Sequence, residues 1–258
     1  MRTVLHILMI IPVLYMLVIP FFLSASTLSR PCTGISINII DSSDHRFVTK
    51  RQLLDLVYTN GGNIIGKPVK EIRIAGIESR INELRELKQA EIYTSVDGTL
   101  HLYIDQRNPV MRVIPYEGGE YFVDEDGFVF RKKNLYSPRL HIVLGNINVT
   151  PAMLGSVSIL DTGLKNSVLR DIYHFVKYIS GNSFWSAQID QIYVNGKNEI
   201  DLIPRVGNHT VHLGTFENYR VKLKNLRAFY DKVLPEAGWN KYSVINLEFR
   251  DQIVCKRR

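Results

Sequence analysis

The sequence predicts an α+β protein with three parts. A single N-terminal transmembrane helix is followed by a small β-α-α-β-β domain, and then by a larger mixed or antiparallel β-sheet domain with helices. Three observations carry this. Residues 4–23 read VLHILMIIPVLYMLVIPFFL, with no Asp, Glu, Lys or Arg. Before Asn108-Pro109 the apolar spacing runs from period two to a helical period and back to two. After it, short alternating segments with Gly-containing turns are interleaved with two longer amphipathic stretches. The expected boundaries are 1–30 for a short tail and the anchor, 31–108 for the small domain, and 109–258 for the larger one.

A helix over residues 4–23 would span roughly 30 Å, the thickness of a bilayer's hydrocarbon core. The alternative is a cleavable signal peptide, with Arg2 as its positive start and Ser24-Ala25-Ser26 as small residues near a cut. The apolar run is longer than the usual h-region of about 7–15 residues, which favours a retained anchor. Pro12 and Pro20 are compatible with a membrane helix, since neighbouring groups re-satisfy the freed carbonyls. A lipid anchor at Cys32 is disfavoured by Arg30 and Pro31 before it. Arg30, Arg46 and Lys50 follow the run and only Arg2 precedes it, so the positive-inside count does not favour an outside body. Both readings of the segment are nevertheless export signals, and long domains translocate largely regardless of charge. The body is therefore expected outside the cytoplasm, with the N-terminus inside.

The net charge of +7 points to an anionic neighbourhood, lipid head groups or an acidic envelope rather than nucleic acid. No basic helix interleaved with aromatics supports nucleic-acid binding. The two cysteines, Cys32 and Cys255, carry no pairing signal.

Ile35, Ile37 and Ile39 alternate with polar residues as a strand does, and residues 41–44 (DSSD) break it. Thr49 opens a helix, with Gln52 completing a capping box. Leu53, Leu54 and Val57 form its inner stripe, and Gly61-Gly62 ends it. Residues 61–67 imitate a phosphate-binding loop, but Pro68 stands where a hydroxyl should hold magnesium, and a helix precedes instead of a strand. Ile74, Ile77, Ile81 and Leu84 share one face of a second helix. Residues 91–96 and 99–106 then form a hairpin about Asp97-Gly98.

In the larger domain, residues 121–123 and 128–130 flank Asp124-Glu125-Asp126-Gly127. That cluster lacks a third ligand before the Gly and a Glu six residues after it, so it reads as a hairpin turn rather than a calcium loop. Residues 140–144 form a strand, and Val168, Leu169, Ile172, Phe175, Val176 and Ile179 mark a helix ending at Gly181. A second hairpin turns at Asn195-Gly196, and residues 209–213 add a strand. On it His209 and His212 face opposite sides and cannot share a metal. A last helix carries Tyr219, Leu223, Leu226, Tyr230 and Val233, and Pro235 stops it. Residues 242–250 and 253–255 are the final strand material, with Ser243, Ile245, Leu247 and Phe249 facing inward. A terminal strand can be an open sheet edge that accepts a partner's strand, or an edge blocked by Lys256, Arg257 and Arg258.

No nucleophile elbow, HExxH, paired CxxC or GxGxxG occurs. Weight shifts from catalysis toward binding, and no cofactor, metal or small-molecule substrate is expected.

The chain resembles the FtsQ/DivIB family of bacterial cell-division proteins over nearly its whole length. Phe47-Val48-Thr49 opening the first helix, and the hairpin ending Asp105-Gln106-Arg107-Asn108-Pro109, resemble that family's POTRA domain. Residues 121–127 (YFVDEDG), Gly214, Lys222, Leu226 and residues 245–250 (INLEFR) resemble its C-terminal β domain. The resemblance implies a non-enzymatic divisome scaffold at the septum, anchored in the cytoplasmic membrane. It would bind the FtsB–FtsL complex and couple division-machinery assembly to septal peptidoglycan synthesis. It places FtsB, by β-augmentation, on Phe249, Arg250, Gln252, Ile253, Val254, Cys255 and Lys256. It places a recruitment surface on Thr49, Arg51, Gln52 and Asp55. The alternative is a POTRA-type envelope assembly or transport factor that takes extended clients, although neither repeated units nor a membrane barrel is seen. An anchored envelope hydrolase is a third class.

If residues 4–23 are retained as an anchor, the full chain stays in the membrane fraction after a carbonate wash. Release of a shortened chain with a new N-terminus near Thr27 would establish cleavage instead.

Overall fold

The computed structural model describes residues 30–40, 47–131, 138–155, 157–161, 167–250 and 252–258. The apolar run at 4–23, the break at 41–44 and the link at Asp251 lie outside the described residues. Among the described residues no helix is long and apolar enough to cross a membrane. The chain divides into two compact units that part between Gln106 and Arg107. Both are mixed α+β.

In the first unit, β1 (Gly34–Ile39) runs parallel to β3 (Thr99–Gln106), and β2 (Leu87–Thr94) lies antiparallel on the other side of β3. A parallel pair needs a crossover, and α1 (Lys50–Gly61) and α2 (Ile74–Asn82) supply it. Leu53 and Val57 from α1, Ile77 and Ile81 from α2, and Leu100, Leu102 and Ile104 from β3 are all buried. The opposite sheet face carries exposed Tyr93 and Tyr103. Thr49 caps α1, its hydroxyl accepting from the Gln52 N–H at 3.2 Å. The next residue back is pinned as well, because the Val48 N–H donates to the buried Gln106 Oε1 at 3.0 Å.

The second unit is one nine-stranded mixed sheet in the order β12-β11-β10-β9-β8-β7-β4-β5-β6. Its strands are β4 (Pro109–Pro115), β5 (Tyr121–Asp124), β6 (Val129–Phe130), β7 (His141–Gly145), β8 (Ile189–Val194), β9 (Ile200–Pro204), β10 (Thr210–Gly214), β11 (Tyr242–Asn246) and β12 (Val254–Arg257). β4, β7 and β8 are mutually parallel, as are β10 and β11; the remaining pairs are antiparallel. The helices are α3 (Val168–Ser180), α4 (Ser183–Gln188), α5 (Tyr219–Lys232) and α6 (Leu234–Ala237). Strand residues such as Met111, Val113, Val143, Ile192, Leu202 and Val211 form one core with Ile172, Phe175, Val176 and Ile179 of α3 and Leu223 and Leu226 of α5. Each such side chain contributes about 1.5–3 kcal/mol on burial. The alternate strand residues on the other face are only half-buried. At Gly145 the backbone is so close to β8 that a Cβ would collide with the Val194 carbonyl.

Several expectations are corrected. Both dipeptide turns are three-residue loops: Ser95 accepts from the Gly98 N–H, and Asn195 accepts from the Asn198 N–H. The residue that adopts positive φ is Gly98 in the first loop but Asn198, not Gly196, in the second. A type I turn followed by one left-handed residue satisfies the twist with different positions from a two-residue turn. Pro235 does not stop helical structure. It sits in the first turn of α6, where its missing N–H costs nothing, and Gly238 at φ 91° ends that helix. The final strand is two antiparallel strands. β11 ends at Asn246, and a bulge at Ser243 shifts its phase, so that Tyr242 packs on the core with Ile245 while Phe249 is 48% exposed.

The acidic turn after β5 is a structural hub. Asp124 is 1% exposed and accepts from Arg107 at 2.6 Å, the Phe128 N–H at 2.7 Å and the Asp126 N–H at 3.0 Å. The Arg107 guanidinium also lies over the Phe128 ring, 4.6 Å from its centroid. Burial pushes the Asp124 carboxyl above its usual range, and Arg107 opposes that shift. Tyr173 of α3 donates to the Glu125 carbonyl, and Ser158 to that of Asp126, each at 2.6 Å. Gly127 takes φ 80°, and a Cβ there would sit 2.6 Å from the Ser158 Oγ.

Arg107→Ala strands a buried carboxylate and is expected to cost about 3–5 kcal/mol in urea unfolding of the second unit. Thr49→Ala removes one cap and is expected to cost only about 1 kcal/mol in the first. Equal losses would refute the hub.

Candidate functional site

A β-sheet ends in two rows of backbone N–H and C=O groups, and an uncovered row is a template for another strand. In the second unit one end is covered. Residues 154–155 and 157–159 lie over β6: Val129 bridges Leu154, Phe128 bridges Ser158, and the Gly155 N–H donates to the Val129 carbonyl at 2.8 Å. At the other end, no strand or bridge among the described residues lies beyond β12.

β12 is held by β11 through the register Val254↔Asn246, Cys255↔Ile245 and Lys256↔Val244. Period two therefore turns Cys255 to the core side, where it is half-buried and burial raises its thiol pKa. Val254 (45% exposed) and Lys256 face the other way. Lys256 and Arg257 belong to the strand rather than to a tail beyond it. Of the residues expected at the edge, Val254, Cys255 and Lys256 lie on it. Ile253 precedes it and packs partly on the core. Phe249, Arg250 and Gln252 are exposed in the connection that leads into it.

Those connection residues line something the sequence did not disclose. A cleft of about 710 Å³ opens between Phe249, Arg250 and Ile253 on one side and Thr215, Val221 and Lys222 on the other. Lys222 shapes that wall. Its ammonium donates to the Leu213 and Thr215 carbonyls at 2.9 and 3.0 Å, and burial lowers its pKa. Asn218, in the left-handed region at φ 53°, turns the chain into α5. Roughly thirty residues separate the two walls, a distance over which periodicity carries no information.

Thr49, Arg51, Gln52 and Asp55 sit together at the start of α1. The Thr49 hydroxyl is used by the cap, Gln52 is half-buried, and Arg51 and Asp55 are exposed. His212 pairs through Nδ1 with Asp201 at 2.7 Å, whereas His209 bonds the Tyr230 hydroxyl at 2.8 Å within the core. The two do point to opposite faces. Among the described residues no three His, Cys, Asp or Glu side chains converge as metal ligands would.

Comparison with protein-family models matches residues 30–105 to a POTRA-like domain and residues 108–256 to "FtsQ/DivIB, C-terminal related". No curated protein matches the chain.

Lys222→Met keeps the apolar stem but strips two carbonyls of their donor, with an expected cost of about 1–2 kcal/mol. Phe249→Ala, at an exposed position, is expected to change stability by less than about 0.5 kcal/mol. Urea unfolding of both variants distinguishes a wall that holds the fold from one that is free to serve a partner.

Proposed function

The chain belongs to the FtsQ/DivIB family, and from that premise we propose a non-enzymatic scaffold of the bacterial division machinery. It is a single-pass protein of the cytoplasmic membrane, with its folded body outside the cytoplasm at the septum. It binds the FtsB–FtsL complex and thereby couples assembly of that machinery to septal peptidoglycan synthesis. FtsB adds as a further strand on β12, using Val254, Cys255 and Lys256, while Phe249, Arg250, Gln252 and Ile253 seat its side chains beside the strand. The surface around Thr49, Arg51, Gln52 and Asp55 recruits the protein to the septum. The domain limits proposed for this reading are 1–30, 31–108 and 109–258.

The observation that carries the reading is the asymmetry of the nine-stranded sheet, closed at β6 and, among the described residues, uncovered at β12. Strand addition takes its affinity from backbone bonds and its specificity from neighbouring pockets, and the 710 Å³ cleft lies where such a pocket is needed. Exposed Lys256, Arg257 and Arg258 favour an acidic partner segment and speed its encounter.

Ile253→Pro is the sharp test. The Arg258 N–H donates to the Lys241 carbonyl on the β11 side, so alternation turns the Val254 and Lys256 N–H groups inward and the Ile253 N–H outward, where proline removes that donor and fixes φ. Pulldown with FtsB is expected to weaken by roughly tenfold or more, about 1.4 kcal/mol, with the chain still folded and cells filamentous. Wild-type binding by a folded variant, with normal division, would mean that the edge is merely capped by its charges. Truncation after Arg250 tests less, since it would turn β11 into a new edge.

A further inference from the structure

In the strand order β12 stands at one end, and well along toward the other lies a second cleft of about 1160 Å³. It opens where the parallel strands β4, β7 and β8 begin, at Val110, His141 and Asp190, against Lys177 and Ser180 at the C-terminal end of α3. Among the described residues four cations line it, Arg112, Arg139, Lys177 and Arg205, against a single carboxylate, Asp190. Arg205 holds that carboxylate at 2.9 Å, and Arg112 pairs with Glu120 at 3.1 Å. Arg139 and Lys177 are exposed, and neither has an ion pair among the described residues. His141, 9% exposed, lines the same cleft with Nδ1 at 3.0 Å from the Ile189 carbonyl. Burial lowers the pKa of its imidazole, with the Arg205 charge adding to that shift and the Ile189 carbonyl opposing it.

We propose that this cleft binds a phosphate-bearing ligand, a pyrophosphate or phosphodiester group attached to a larger apolar or neutral body. These two cations, without an ion pair among the described residues, draw the anion, and Arg139 offers the planar fork that matches phosphate oxygens. Arg112 and Arg205, already held by carboxylates, add field without needing to move. The volume reaches beyond the range of about 300–1,000 Å³ typical of small-molecule sites, far more than a phosphate alone fills. Pro109, Leu140 and Ile142 supply apolar wall for the remainder. This site is independent of the β12 edge and of the division reading.

The test titrates the full-length chain, purified in a neutral detergent, with inorganic pyrophosphate and with dihexanoyl phosphatidylglycerol. Zwitterionic dihexanoyl phosphatidylcholine and poly-glutamate serve as comparators. Arg139→Glu/Lys177→Glu is expected to weaken binding of the phosphate probes by roughly tenfold or more. Lys197→Glu/Lys224→Glu makes the same change in net charge at exposed positions outside the cleft, and is expected to stay within about twofold of wild type. Phosphatidylglycerol bound above phosphatidylcholine, and lost in the cleft variant, assigns a lipid head group. Pyrophosphate bound without phosphatidylglycerol assigns a soluble phosphate compound. Equal losses in both double variants would reduce the effect to net charge and overturn the site. So would absent phosphate binding, including the case where poly-glutamate alone binds and an acidic protein segment is the occupant.

Discussion

A carboxylate at Asp124, sealed from water, organises the second unit. Such a group is tolerated only when donors surround it, and here they come from Arg107 and from the backbone of its own turn. Arg107 lies just before β4, so the pair fixes where the first strand of the sheet starts relative to the β5–β6 hairpin. Tyr173 ties α3 to the same turn through the Glu125 carbonyl, and Ser158 brings in the segment that follows β7. That segment is the one that covers β6. One interaction at the start of the unit therefore carries through to closing one edge of the sheet.

Closure at β6 gives the opposite edge its meaning. A sheet with two open edges would offer two templates for indiscriminate pairing; among the described residues this one leaves β12 uncovered. The last strands are arranged to keep it presentable. The chain reaches β11 from β10 through α5, a crossover that a parallel pair requires, and then doubles back antiparallel as β12. The Ser243 bulge lets both Tyr242 and Ile245 anchor β11 in the core, so β12 rests on a strand that is itself well packed. Cys255 and Ile253 add a little burial, and Val254, Lys256 and Arg257 are left to solvent. The connection between these strands, having left the sheet, becomes the wall of a cleft.

The excess of positive charge is not spread evenly in its consequences. Part of it is neutralised in pairs such as Arg107–Asp124 and Arg205–Asp190. Part has no ion pair among the described residues and stands in two places, along β12 and at the mouth of the cleft between β4, β7 and α3. Both are exposed, so their fields are screened within a Debye length of about 8 Å and act on partners that come close. The proposed anionic partner at the edge and the proposed phosphate-bearing ligand in the cleft would use the same charge in different geometries. The edge presents a row, and the cleft a converging set.

Period and punctuation are local properties, and the sequence by itself determined what they control. Alternation marked the strands, three-and-four spacing placed α1, α2, α3 and α5, and Thr49, Gly62 and Gly181 mark their ends as caps and stops should. The turn at Asp124–Gly127 was legible as a turn, because Asp and Gly tolerate its angles whatever surrounds them. The resemblance to a division family rested on the order of such elements along the chain. Tertiary structure decided everything that depends on partners distant in sequence. It chose three-residue loops and gave the left-handed position to Asn198. It ended β11 at Asn246, leaving Phe249 in solvent, and it put Lys256 and Arg257 inside a strand. It joined Arg107 to Asp124, and it faced Phe249 with Val221 and Arg139 with Lys177. Side-chain direction along one strand repeats every two residues. Which strand lies alongside, and what stands across a cleft, is settled by packing between segments whose sequences carry no mark of each other.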